Sequence, residues 1–178
     1  MEQDPFDILG VSPAFNLDSE ALETAYLRLA AKLHPDLAAA DPGAHTKSAQ
    51  LNDAKRILDD PELRAQTLLT RLQGPGPQNN KALPEGLLME VMEVRQAAEQ
   101  ARKGNDLPEM QKWLAWAENR RDRHIQSVAS RFAQLADPPD QAALQAIRVE
   151  LNAWRYIERM IEQLDPQYDP LKAESAGG

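Results

Sequence analysis

Apolar residues recur three and four positions apart over most of this chain, the spacing of helices with one buried face. In "NLDSEALETAYLRLAAKL", Leu22, Tyr26 (or Ala25), Leu29 and Leu33 make such a stripe, with Arg28 and Lys32 away from it. Asp18 or Ser19 can cap that helix, and Glu20 and Glu23 suit the positive end of its dipole. In "KSAQLNDAKRILDD", Leu51, Ala54 and Leu58 share one face. "DPFDILGV" reads as a short turn of helix carrying Phe6, Ile8 and Leu9, and "PELRAQTLLTRL" restarts at Pro61, a residue tolerated in a first turn. The helices over 18–33 and 47–59 are expected to pair as an antiparallel hairpin, joined by a loop from 34 to about 46.

The pattern breaks at "LQGPGPQNNKALPEG", residues 72–86, where Gly, Pro and Asn interrupt secondary structure. Beyond it the spacing predicts three longer helices. Leu87, Val91, Val94, Ala98 and Ala101 form the stripe of the first, which stops at "GND", residues 104–106. Met110, Leu114, Ala117, Arg121, Ile125, Val128, Phe132 and Leu135 form a near-heptad with one polar interruption in the second. Leu144, Ile147, Leu151, Trp154, Ile161 and Leu164 face inward in the third. Short connections make neighbours antiparallel, so this block is expected to be a three-helix bundle. No segment alternates apolar and polar residues with β-branched enrichment, and the fold class is therefore all-α.

Composition narrows the chemistry. The 178 residues include no cysteine, which removes disulfides, thiolate nucleophiles and Cys-ligated metals. The net charge of −8 argues against a nucleic-acid partner, because phosphate contacts need a basic surface. No apolar run approaches the roughly 20 residues that span a bilayer. The acidic start "MEQDPFDILG" lacks the basic segment of a signal peptide, so no membrane association and a cytoplasmic location are expected. His34, His45 and His124 are scattered, and no HExxH, Gly-rich phosphate loop or GxSxG motif occurs. The expectation is a non-enzyme without metal or cofactor. "ENRRDRHIQ", residues 118–126, could grip phosphate or an acidic partner, but reads better as a solvated face with helix-spaced ion pairs. Trp113 and Trp116 are expected one in the core and one at the seam between the blocks.

Two features exceed what folding requires. Pro35 disfavours the α conformation at His34, so the helix ends there and leaves His34 and Asp36 in a loop on a rigid hairpin. In "GLLMEVMEVRQAAEQA", Leu88, Met89 and Met92 lie off an already complete core stripe, bordered by Glu90, Glu93 and Gln96. An extra apolar patch rimmed with charge suggests a protein-binding site, and methionine adapts readily to partner surfaces. Packing of these residues under the other block or the connection is the plain alternative.

"DPFDILGV", the helix "AYLRLAAKLHPD" and "LNDAKRILDDPELRA" together resemble a J-domain. Tyr26, Leu29, Ala30, Leu33, the His34-Pro35-Asp36 triplet, Ala54, Leu58 and Arg64 carry the likeness. "LLMEVMEVRQ", the last helix "RVELNAWRYIERMIEQL" and the whole layout resemble the HscB family of co-chaperones. The resemblance implies a J-domain over 1–72, a linker over 73–84, a three-helix scaffold-binding domain over 85–165 and a flexible tail over 166–178. It implies that His34, Pro35 and Asp36, with Arg28, Lys32 and Tyr26, engage a DnaK/HscA-type ATPase chaperone and stimulate its hydrolysis. It also implies that Leu88, Met89, Met92, Glu93 and Gln96, with Trp154 or Tyr156, hold an IscU-type iron–sulfur scaffold protein. Leu37 stands where J-domains usually have lysine, and Glu23 and Thr24 occupy turns that are often basic, which suits one dedicated chaperone partner. A J-domain co-chaperone serving a different protein client is the other reading.

Overall fold

Seven helices and no strand make up the described residues, 4–33 and 43–165, of the computed structural model. These residues fall into two units divided between Gln73 and Gly74. In the first, α1 (Pro5–Leu9) starts at Asp4, whose carboxylate accepts from the Phe6 N–H at 2.9 Å, and ends at Gly10 with φ 65°, a left-handed turn that favours glycine. Helix α2 (Ser19–Lys32) is capped by Asp18, which accepts from the N–H groups of Glu20 and Ala21. Helix α3 (Ala44–Asp59) begins three residues before the start that the apolar pattern suggests, and α4 (Pro61–Arg71) follows at once, capped by Asp60.

Cross-helix bonds show that α2 and α3 run antiparallel. Glu23 meets Lys55 at 3.0 Å, and the Tyr26 hydroxyl donates to Asn52 Oδ1 at 3.0 Å, so partners descend along α3 as α2 ascends. Phe6, Leu9, Leu22, Ala25, Leu51, Ala54, Leu58 and Leu69 fill the core between the helices. Of the two residues left open by the stripe, the small Ala25 points inward, and Tyr26 is half-buried with its hydroxyl at the hairpin's edge.

The second unit holds α5 (Leu87–Lys103), α6 (Leu107–Ala133) and α7 (Gln141–Leu164). Leu87, Val91 and Val94 of α5, Ala117 of α6, and Ala153, Ile157, Met160 and Ile161 of α7 form one core cluster. Burial on α7 is wider than a single stripe. Ala153, Ile157 and Met160 are sealed as well as Leu144, Ile147, Leu151, Trp154 and Ile161, whereas Leu164 is half-buried. One reason is that α7 also carries the chain that precedes α5. Arg148, 2% exposed, donates from Nε to the Pro75 carbonyl at 2.8 Å. Asn152 Nδ2 donates to the carbonyls of Asn80 and Ala82, each at 3.0 Å, and Leu83 packs on the core cluster. The Gly- and Pro-rich stretch therefore lies bound along α7, with three of its carbonyls taken by side chains of that helix and those of Gly76 and Pro84 by backbone N–H groups of local turns.

The cluster "ENRRDRHIQ" differs from its expected solvated face. Arg121 and His124 are 9% and 7% exposed. Arg121 bonds Asp122 at 2.8 Å, and His124 Nδ1 lies 2.8 Å from Glu150 Oε2 on α7. Arg120 reaches across to Glu90 of α5 at 2.7 Å, so its ion pair is interhelical. The hydrogen bond from His124, against the cost of burial, holds the Glu150 carboxyl below the usual carboxylate range. Trp113 and Trp116 are both half-buried against the core cluster of this unit. No described helix is long and apolar enough to cross a membrane, and no group of three His, Cys, Asp or Glu side chains among the described residues could hold a metal ion.

Candidate protein-binding surfaces

Helix α5 separates its apolar residues into two sets. Leu87, Val91 and Val94 are 1%, 0% and 5% exposed, while Leu88, Met89 and Met92 are 49%, 70% and 61% exposed. The first set satisfies the bundle, and the second is left over. Gly86, with φ 78°, turns the chain into α5 in a left-handed conformation open to glycine. The buried stripe sets how α5 is rotated, and the Arg120–Glu90 pair across to α6 agrees with it, with Met89 and Met92 facing out. Glu93 and Gln96 are exposed beside the methionines. Covering three such side chains stabilises a complex by up to about 1.5–3 kcal/mol each, before the costs of association.

The two aromatic candidates on α7 part company. Tyr156 is half-buried, packs on the core cluster, and lies 5.4 Å from the Arg95 guanidinium, which places it beside α5. Trp154 is 3% exposed, and its indole N–H donates to Glu158 Oε2 at 3.0 Å. It is a core residue, and the expectation of Trp154 at a partner surface is corrected: the helix turns it inward, two residues from the position that opens outward.

In the first unit Arg28 and Lys32 are exposed one turn apart on α2, and Leu27 on the same helix is 56% exposed. Tyr26 belongs partly to the hairpin, through Asn52 and through Lys55, whose ammonium lies 5.8 Å from the ring centroid. Burial pulls Lys55 down, but hydrogen bonds to Asp59 and Glu23 outweigh it and hold the amine above its ordinary value. Glu23 is thereby occupied on the hairpin. His34, Pro35 and Asp36 lie outside the described residues, as does the tail over 166–178.

Sequence reasoning passed over Arg95. Its spacing marks it only as a polar neighbour of Gln96, and its place over Tyr156 follows from the approach of α7. A basic residue between an apolar stripe and an exposed patch was the available signal.

Residues 4–67 match the DnaJ domain family, and residues 83–165 match the HSCB C-terminal oligomerisation domain. A co-chaperone protein HscB homolog of Burkholderia multivorans is 31% identical over 174 residues, covering 94% of this chain and 95% of that protein. The corresponding homolog of Burkholderia cenocepacia is 33% identical over 175 residues with the same coverage, 94% and 95%. Among solved structures, chaperone HscB from Vibrio cholerae superimposes with a TM-score of 0.72 at 21% identity, covering 91% of this chain and 95% of that one. Human co-chaperone protein HscB gives a TM-score of 0.72 at 21% identity, over 91% of this chain and 80% of its own. The two structures share the all-α fold.

Proposed function

This chain belongs to the HscB family of co-chaperones, and on that premise we propose that it delivers an IscU-type iron–sulfur scaffold protein to a DnaK/HscA-type ATPase chaperone and stimulates that chaperone's ATP hydrolysis, in support of cluster assembly or transfer in the cytoplasm. The observation that carries the scaffold arm is the exposed set Leu88, Met89 and Met92 beside a core stripe that is already buried. The work is done by binding. Leu88, Met89 and Met92 supply apolar area, Glu93 and Gln96 supply polar contacts at its margin, and Tyr156 adds a half-open ring on the neighbouring helix. The chaperone arm consists of His34, Pro35 and Asp36, with Arg28 and Lys32 as an exposed cationic approach and Tyr26 at the hairpin edge. Hydrolysis takes place on the partner, and this chain contributes contacts that favour it.

Steady-state ATPase of an HscA-type chaperone, measured with this protein and with or without scaffold, tests both arms. His34→Gln is expected to abolish stimulation and leave scaffold affinity unchanged by calorimetry. Stimulation retained in that variant, or scaffold affinity lost, would sink the two-arm reading. If the wild-type chain captures a different client and ignores the scaffold, the client assignment fails while the chaperone arm stands.

A further inference from the structure

Along α5, Leu88, Met92, Arg95, Glu99 and Arg102 succeed one another at intervals of four and three residues, and so lie in one row. The upper part of the row is the exposed apolar surface. The lower part opens into a cleft of about 620 Å³ between α5, the start of α6 and the end of α7. Its apolar lining includes Ala98, Met110, Met160 and Leu164, with Ala98 and Met160 buried. Arg95 and Arg102 stand on its α5 side. Arg95 is held over Tyr156, and its Nε is buried without a hydrogen-bond partner. Arg102 is exposed in the last turn of α5. The carboxylate in this wall, Glu99, is taken by Lys103 at 2.8 Å, which holds it below the ordinary carboxylate value.

A chain with net charge −8 thus presents two cations along an apolar trough. Seven residues of helix separate them, a rise of about 10 Å. Carboxylates three residues apart on a segment in the polyproline II conformation lie on one face and span about 9 Å, close to the same distance. We propose that this cleft is a second subsite of the α5 surface, taking a segment of the scaffold partner in which apolar side chains are flanked by two carboxylates that reach Arg95 and Arg102. The proposal rests on the reading of Leu88, Met89 and Met92 as the scaffold-binding surface, with which the cleft is continuous. The apolar end and the cationic end then fix the direction in which the partner lies along α5.

Calorimetric titration with a purified IscU-type scaffold at about 50 and about 300 mM salt tests it. Arg95→Gln with Arg102→Gln is expected to weaken binding about tenfold at low salt and to flatten the salt dependence. Arg102→Gln alone, at an exposed position that does not touch the core, is expected to lose about threefold. Lys81→Gln with Arg123→Gln removes the same charge from exposed positions outside the cleft, and should bind as the wild type does. Equal loss in that control, or wild-type affinity and salt response in the cleft variants, overturns the proposal. Absence of scaffold binding by the wild-type chain is a failure of the underlying reading, and a probe free of the scaffold then decides the cleft. Acetyl-Glu-Leu-Leu-Glu-amide titrated into the full chain should shift the NMR signals of Arg95, Met110 and Leu164, and no shift at those residues rejects the subsite.

Discussion

Trp154 and Tyr156 stand two residues apart on α7, yet the first is sealed in the core and the second lies half-open beneath Arg95. Truncating Trp154 to Ala is expected to lower stability by about 3–5 kcal/mol, through lost packing and the loss of a hydrogen bond to Glu158, as read by urea denaturation. Tyr156→Ala should cost much less stability and show instead in scaffold affinity. The hydrogen bond from His124 gives Glu150 a pH dependence of definite direction. Its folded-state carboxyl lies below the unfolded value, so its contribution is present above the unfolded pKa and is lost as pH falls through the folded one. The stability gap between wild type and Glu150→Gln should therefore be widest near neutrality and close on acidification below pH ~4, in denaturation series at stepped pH. A gap that widens with acid contradicts this. His124 and Arg121 also show where residue-by-residue reading stops. Spacing puts Arg121 on the apolar stripe as its one polar interruption, whereas His124 lies off that stripe and reads as outward-facing. His124 is buried with Glu150 as its partner, 26 positions away, which local spacing cannot supply, while Arg121 bonds its neighbour Asp122.

At the scale of elements, α5 was the most legible. Its core stripe, Leu87 through Ala101, is buried at every position the spacing marks, because no charge interrupts it and one face meets the bundle. The exposed set followed by subtraction. Leu88→Ala with Met92→Ala should weaken scaffold binding about tenfold or more while the melting temperature moves by only a few degrees. A large drop in melting temperature would make these residues structural. Helix α7 was less legible, since a single stripe omits Ala153, Ile157 and Met160. That omission and the bound stretch over 75–83 have a common origin: α7 serves more than one neighbour, and the contact partners come from distant parts of the chain. Asn152→Ala removes the donor shared by the Asn80 and Ala82 carbonyls. Limited proteolysis should then cut within 75–83 sooner than in the wild type, with α5–α7 themselves still protected.

For the whole molecule, the proposed reading of two binding arms on one chain makes the second encounter effectively intramolecular. A mixture of His34→Gln and Leu88→Ala/Met92→Ala chains should therefore fail to restore scaffold-dependent ATPase stimulation, although each arm is intact on one of them. Recovery at ordinary concentrations would show that the covalent link is dispensable. The all-α class and the helix order were readable because periodicity and Gly/Pro punctuation are local signals. The buried ion pairs and the Arg95–Tyr156 contact were not, because they arise only when helices meet. The location of the tryptophans has an optical consequence. All three, Trp113, Trp116 and Trp154, lie after Gly74, and the first unit contains none. Indole emission is therefore a reporter confined to the helical bundle, whereas far-ultraviolet ellipticity sums both units. Recorded together during a thermal ramp, the two traces will separate if the units melt independently and coincide if they melt as one, without any label added to the chain.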